Sequence, residues 1–222
     1  ALPNYNSVVA TFCNQAAKRE DLNINDENRI LNLLYIDDLV EHLIKILEQS
    51  NSARVHHVKI EEKFDHSSIK LGELARLISS FAKMRPSLSI DDLSSGIERQ
   101  LYSTFLTYLS PDQFVYKVYS HKDARGNFSE LFKSDKGGQV SVFTAKTNTK
   151  RGGHFHNTKV EKFFVVQGQA KFTFKKMNDG VVWDRNVSAE ESVIVETIPG
   201  CWHVVENIGN EELIVIVWDN EI

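Results

Sequence analysis

The sequence predicts an α+β protein in two parts. A mainly helical N-terminal part covers residues 1–110, and an all-β part of the sandwich or barrel kind covers 111–222. Three observations predict this. Up to Phe105, apolar residues recur at three- and four-residue spacings, the pattern of helices with one buried face. From Asp112 onward that period gives way to short β-rich runs separated by turn signals such as Asn178-Asp179-Gly180, Pro199-Gly200 and Gly209-Asn210. Pro111 stands where the character changes, so the domain boundary is expected near it.

Taken in order, Ser7 to Arg19 carries Val8, Val9, Phe12 and Ala16 as a helical stripe. Arg29 to Tyr35 is a short apolar run and reads as a strand. Asp37 and Asp38 open a helix marked by Leu39, Val40, Leu43, Ile44 and Leu47. Negative charge at that end complements the helix dipole. Val55 to Ile60 alternates in part and reads as a strand. Leu71, Leu74, Ile78 and Phe81 mark a helix that Pro86 should stop, because proline lacks the N–H a helix interior requires. Leu93, Ile97, Leu101 and Phe105 mark a last helix. The expected strands beyond it are Phe114–Tyr119, Gly138–Thr144, Glu161–Val166, Ala170–Lys175, Ser192–Thr197, His203–Glu206 and Leu213–Trp218.

Composition narrows the function classes. The chain is 25% charged and 41% hydrophobic with a net charge of −4, an ordinary globular balance. A mildly acidic chain gives no electrostatic case for nucleic acid. No apolar run approaches the roughly 18 residues of a membrane span. The first residues lack the basic and apolar segments of a signal peptide. Cys13 and Cys201 are too far apart in sequence to suggest a disulfide framework. Together these features lead us to expect a cytoplasmic protein.

The chemistry concentrates in one stretch, Arg151-Gly-Gly-His154-Phe-His156, followed by Glu161. Residues i and i+2 of a strand share a face, so the two imidazoles can converge, and Glu161 can return to them from the next strand. Two imidazoles and a carboxylate are a ligand set for a catalytic divalent metal with an open position. Elsewhere, His56 and His57 are adjacent, and a strand would send them to opposite faces.

The spacing His154-x-His156-x4-Glu161-x6-Gly168, with Gly200-x-x-His203-x3-Asn207 after it, resembles the paired motifs of the cupin superfamily. The resemblance implies a jelly roll and a metal held by His154, His156, Glu161 and His203, with zinc the foremost candidate. It also implies a homodimer through the cupin domain. Two positions depart from the motifs. The leading glycine of the first is Asn148, and the proline of the second, Pro199, adjoins its glycine.

Asp123-Ala-Arg125-Gly126-Asn-Phe128-Ser-Glu130, with the later Arg151-Gly-Gly-His154, is similar to cupin enzymes that epimerise nucleotide-linked 4-keto-deoxy sugars. Arg125 and Arg151 carry fork-shaped donors suited to a diphosphate, with Asp123 beside them. An ordinary turn with a surface ion pair is the alternative for these three residues. Epimerisation beside a ketone also needs a proton acceptor, and the candidates are His121, Lys162 and Tyr119. His121 has a suitable ordinary pKa. Strand parity would send Lys162 away from Glu161.

In the N-terminal half, Asn6 to Asn14 and Leu33 to Val40 resemble the C-terminal portion of extended short-chain dehydrogenase/reductases. Such a tail joined to a cupin is similar to the bifunctional capsular-polysaccharide enzymes that epimerise C3 of a UDP-linked 4-keto-6-deoxy sugar and then reduce C4 with NADPH. The chain contains no Gly-x-x-Gly-x-x-Gly and no Tyr-x-x-x-Lys. The expectation is therefore a protein whose dinucleotide-binding half is missing, with no NADPH binding and a partial substrate-binding region over 1–110. The alternative is a non-catalytic cupin that binds a sugar nucleotide or serves as a dimerisation module.

Overall fold

The computed structural model describes residues 2–49, 66–90 and 92–222. The strand expected at Val55–Ile60, with His56 and His57, lies outside the described residues. Among the described residues the chain is a mixed α/β protein with four α-helices and most of its regular structure in sheets. It divides into two compact units, Ala1–Lys83 with Leu93–Phe114, and Met84–Asp92 with Val115–Ile222.

The first unit begins with α1 (Val8–Ala17), capped by the Ser7 hydroxyl, which accepts from the Ala10 N–H. This helix buries Phe12, Cys13 and Ala16. The expected strand forms as β1 (Ile30–Leu33), but it pairs with an unforeseen partner, β2 (Ser67–Lys70). Only Ile69 of β2 is buried, so its sequence carries almost no apolar alternation. The N-terminal part is thus mixed in structure, and the expectation of a mainly helical one needs that correction. Helix α2 (Ile36–Gln49) has Asp37 and Asp38 in its first turn.

Helix α3 (Leu71–Ser87) buries Leu74, Ile78 and Phe81. Pro86 does not stop it and instead lies in its last turn. At the end of a helix a proline forfeits little, and termination comes at Leu88, whose φ of +57° is left-handed. Helix α4 (Gly96–Leu106) starts at Ser95, whose hydroxyl accepts from the Glu98 N–H. Its Tyr102 and Phe105 rings lie 5.2 and 6.1 Å from that of Phe81.

The second unit holds ten strands: β3 (Ser120–Asp123), β4 (Gly126–Ser134), β5 (Gly138–Ala145), β6 (Lys150–His154), β7 (Glu161–Gln167), β8 (Gln169–Lys176), β9 (Val182–Ser188), β10 (Ile194–Thr197), β11 (Cys201–Asn207) and β12 (Leu213–Asp219). They form two antiparallel sheets, ordered β10-β7-β12-β5-β4-β3 and β6-β11-β8-β9. The expected strand at Phe114–Tyr119 is absent. A 3₁₀ turn covers Pro111–Phe114, and strand structure starts only at Ser120. Phe114, Val115 and Tyr119 are exposed, so their apolar character is not spent on a sheet face.

The inward faces of both sheets share one core. The larger sheet gives Phe143, Phe163 and Val215, and the smaller gives Phe172, Val187 and Val205. The rings of Phe163 and Phe172 meet edge to face at 5.6 Å. Each large side chain buried there stabilises the fold by about 1.5–3 kcal/mol. This cupin-like double sheet fixes the backbone from which the polar site projects.

Candidate metal centre

The smaller sheet supplies the imidazoles. His154 ends β6 and is the cross-strand partner of His203 on β11. The register shifts immediately beside them, because Val204 pairs with Gly152 and leaves Gly153 unpaired. Gly152 and Gly153 both have positive φ, at 86° and 89°, and a Cβ on Gly152 would come 3.1 Å from the His203 carbonyl oxygen. The twin glycines thus form a bulge that bends β6 and aims His154. His156 lies just beyond the strand rather than on it, with its carbonyl accepting from the Gly200 N–H at 2.8 Å. The His154 ring is 4.7 Å from that of His156 and 4.9 Å from that of His203.

The larger sheet supplies the carboxylate. Glu161 begins β7, and its Oε2 is 2.9 Å from His203 Nε2 and 3.6 Å from His156 Nε2. The Thr197 hydroxyl donates to the same oxygen at 3.3 Å. One ligand atom from each of His154, His156, Glu161 and His203 lies within 4.8 Å of the others. A single ion with bonds of about 2.0–2.2 Å would nearly bridge that span.

The donor chemistry also fits a cation. His156 Nε2 and His203 Nδ1 are buried and have no hydrogen-bond partner among the described residues, a costly state that a metal bond at one of them would relieve. Burial, joined by repulsion from His203, holds the His154 pKa below its ordinary value and favours the neutral imidazole that a metal needs. Burial alone would raise the Glu161 carboxyl. The His203 hydrogen bond and the surrounding imidazoles outweigh it and leave the pKa lowered.

The departure at Asn148 has a structural account. Its φ is +59°, a left-handed conformation that glycine takes freely and asparagine tolerates. The backbone there is tied to Asn207, with Asn148 N–H donating to the Asn207 carbonyl and Asn207 N–H to that of Thr149. The Asn207 amide also donates to the carbonyls of Ala145 and Glu211. Fully buried, Asn207 fastens loops and does not reach the cluster's chemistry.

A cavity of about 380 Å³ opens on the cluster, lined in part by His154, Glu161 and His203. Arg125 and Arg151 line it as well, whereas Asp123 does not. The Asp123 carboxylate accepts from Arg125 Nε and Nη2 at 3.0 and 2.6 Å and from Arg151 Nη1 at 3.5 Å. Arg151 further donates to the Thr144 carbonyl from Nε and Nη2. Asp123 therefore positions two guanidinium groups. The Arg125 hydrogen bond, helped by Arg151, holds its carboxyl down to about 2.

The expected proton acceptors stand elsewhere. Tyr119 and His121 are exposed at the outer edge strand and the stretch before it, and neither lines the cavity. Lys162 follows strand parity to the opposite face from Glu161, where its Nζ pairs with Glu196 at 2.6 Å. Four other polar groups do line the cavity: Gln139, Ser141, Lys159 and Asp219. Lys159 Nζ is 3.1 Å from Asp219 Oδ1. Burial raises the Asp219 pKa, and Lys159 opposes that shift. Parity with Phe143 could have put Gln139 and Ser141 on the inner face, and parity with Val217 could have done the same for Asp219.

Comparison with known proteins shows what the chain is similar to. Residues 121–222 match the family model described as the polysaccharide biosynthesis C-terminal domain. Over 220 residues the chain is 39% identical to UDP-2-acetamido-2,6-beta-L-arabino-hexul-4-ose reductase of Pseudomonas aeruginosa strain PA103, covering 99% of this chain and 58% of the relative. It superposes with a TM-score of 0.90 at 35% identity on the crystal structure of the capsular polysaccharide assembling protein CapF from Staphylococcus aureus, covering 100% of this chain and 59% of that one. A structure of CapF with the inhibitor 3-isopropenyl-tropolone matches at TM-score 0.90 and 35% identity, over 100% of this chain and 64% of that one. The chain thus spans about three fifths of the length of the relatives it matches, 58% to 64% of them.

Proposed function

We propose that this chain is a metal-dependent epimerase acting at C3 of a UDP-linked 4-keto-6-deoxy sugar in capsular polysaccharide precursor synthesis. In this reading it works in the cytoplasm with zinc and forms a homodimer through its β-rich unit. The observation that carries it is the clustering of His154, His156, Glu161 and His203, three of which, His154, Glu161 and His203, line a cavity that Arg125 and Arg151 line as well. The names of the relatives supply the substrate class: the reductase is named for a UDP-linked hexul-4-ose, and CapF for capsular polysaccharide assembly.

The chemistry suits the site. A C–H bond beside a ketone is weakly acidic, and epimerisation removes that proton and returns one to the other face. A divalent ion held by the three imidazoles and Glu161 would supply Lewis-acid stabilisation of the charge that develops on the keto oxygen. Arg125 and Arg151, pre-aimed by Asp123, bind the diphosphate and orient the sugar. Lys159 and Asp219 are the ionisable groups lining the cavity outside the cluster and the arginines, and proton transfer at C3 falls to them. The step is redox-neutral, so it draws on no NADPH.

The test is solvent exchange. Metal-loaded protein in D2O should place deuterium at C3 of a UDP-4-keto-6-deoxy sugar, and His156→Ala should abolish the incorporation. A fully metal-loaded protein that exchanges nothing would leave the binding-module reading in its place.

A further inference from the structure

The carboxylate of the cluster has a buried neighbour that is not itself one of the four clustered donors. On the inner face of the larger sheet, cross-strand partners line up in a row: Gln139 on β5 pairs with Asp219 on β12, Asp219 with Glu161 on β7, and Glu161 with Thr197 on β10. Thr197 ends β10, an edge strand of that sheet, and is 2% exposed. The other inward residue of β10, Val195, is apolar. Packing alone would accept valine at position 197 too, because valine has the same branched shape and forms strands as readily. The hydroxyl is what differs, and a buried hydroxyl costs free energy unless it is hydrogen-bonded.

That hydroxyl is spent on Glu161 twice. The Glu161 backbone N–H donates to Thr197 Oγ1 at 3.2 Å. The Thr197 hydroxyl donates in turn to Glu161 Oε2 at 3.3 Å. The directions are fixed, since a backbone N–H can only donate and an ionised carboxylate can only accept. Oε2 is the oxygen that meets the imidazoles, 2.9 Å from His203 Nε2 and 3.6 Å from His156 Nε2. Thr197 does not line the cavity, so it acts through Glu161. Its segment touches the rest of the cluster as well. The Gly200 N–H donates to the His156 carbonyl at 2.8 Å, and His203 supplies its own imidazole.

We propose that Thr197 is a positioning residue for the metal centre, its hydroxyl holding the Glu161 carboxylate with Oε2 aimed at His156 and His203. The inference rests on the metal-binding part of the proposed function and on nothing about the sugar. A carboxylate without such a partner turns about its side-chain torsions, and ordering it when an ion binds costs affinity. A hydrogen bond already made removes that cost. Partners of this kind, one step outside the ligands, typically set about 10–100-fold in metal affinity.

The test compares the wild type with three variants, Thr197→Ser, Thr197→Val and Thr197→Ala, by zinc affinity against a chelating dye. Threonine and serine carry the hydroxyl, whereas valine and alanine lack it. Threonine and valine share shape and strand preference, which serine and alanine do not. Affinity should sort by the hydroxyl: Thr197→Val and Thr197→Ala should each lose about 10–100-fold, and Thr197→Ser should stay within about threefold of the wild type. With cobalt in place of zinc, the visible absorption bands should change in Thr197→Val and not in Thr197→Ser. Affinities that sort by shape instead, with Thr197→Val near the wild type and Thr197→Ser and Thr197→Ala both weakened, overturn the proposal, as do affinities unchanged throughout. Circular dichroism reports folding. If only one of the two variants without the hydroxyl folds, that one decides. If neither folds, the strand rather than the ion needs the hydroxyl, and the proposal falls. A wild type that binds no zinc removes the metal reading itself. A wild type that binds zinc but exchanges no deuterium loses the epimerase reading and keeps the role of Thr197 open to the same affinity comparison.

Discussion

Two ends of the same sheet differ in what their inward residues do. At one end, β5, β12 and β7 turn Ala145, Leu213 and Val165 into the core, all of them buried and apolar. At the other end the same strands, with unchanged alternation, turn in Gln139, Asp219 and Glu161. The β7–β12 register shifts once, beside Ile214 at the apolar end, but the inward alternation along β12 is kept, so the difference in what the two ends bury lies in the side chains. The apolar end gains free energy from burial. The polar end gives some up, because buried polar groups must be matched by partners or ligands. Natural proteins carry such local inconsistencies chiefly where they bind or react.

The largest effect should come from breaking the apolar end. Phe172→Ala removes a fully buried ring from the smaller sheet and should cost about 3–5 kcal/mol in denaturant unfolding. The folded fraction should still bind metal. If its metal affinity falls along with its stability, the two ends are not separable as described.

The next comparison sharpens the polar end. Lys159→Met, inside the cavity, should lower deuterium exchange by on the order of 100-fold, a typical scale for a proton-transfer group. Lys162→Met, which breaks only an exposed pair with Glu196, should change exchange by less than about threefold and stability by less than about 1 kcal/mol. Equal losses in the two variants would contradict the assignment of inner and outer faces.

How much of this was legible in the sequence depends on distance along the chain. His154, His156 and Glu161 lie close together in the sequence, so their spacing alone points to a cluster, although His156 lies past the end of β6 and is not held there by strand parity. The twin-glycine bulge was visible only as composition, because its effect depends on where β11 pairs. Gln139, Asp219 and Glu161 each have legible parity, yet their row exists only through the register of three strands far apart in sequence. Strand β9, Val182–Ser188, was missed for a different reason. It is an edge strand with most residues exposed, so charged residues interrupt the expected alternation. The opposite error occurred at Phe114–Tyr119, where β-forming residues remain outside any sheet.

Smaller effects test the groups around the cavity. The Asp123 carboxyl should titrate near 2 by NMR, below the roughly 3.9 of an unfolded aspartate. A lowered carboxyl pKa contributes stability at pH values above that unfolded value, and the contribution disappears as pH falls toward about 2. Arg125→Ala should return the midpoint toward the ordinary value. An unchanged midpoint would mean that Arg125 does not hold the carboxylate. Smallest of all, the buried Cys13 thiol, raised by burial to about 12, should resist alkylation at pH 8 in the folded protein. Rapid labelling would show that α1 opens readily.

The most direct measurement is metal stoichiometry and affinity, with the wild type compared with His156→Ala by titration against a chelating dye. The account predicts one divalent ion per chain in the wild type and an affinity loss of at least about 100-fold in the variant, whose remaining ligands cannot replace the lost imidazole. Equal affinity in both proteins, or a wild type that takes up no divalent ion, would contradict it.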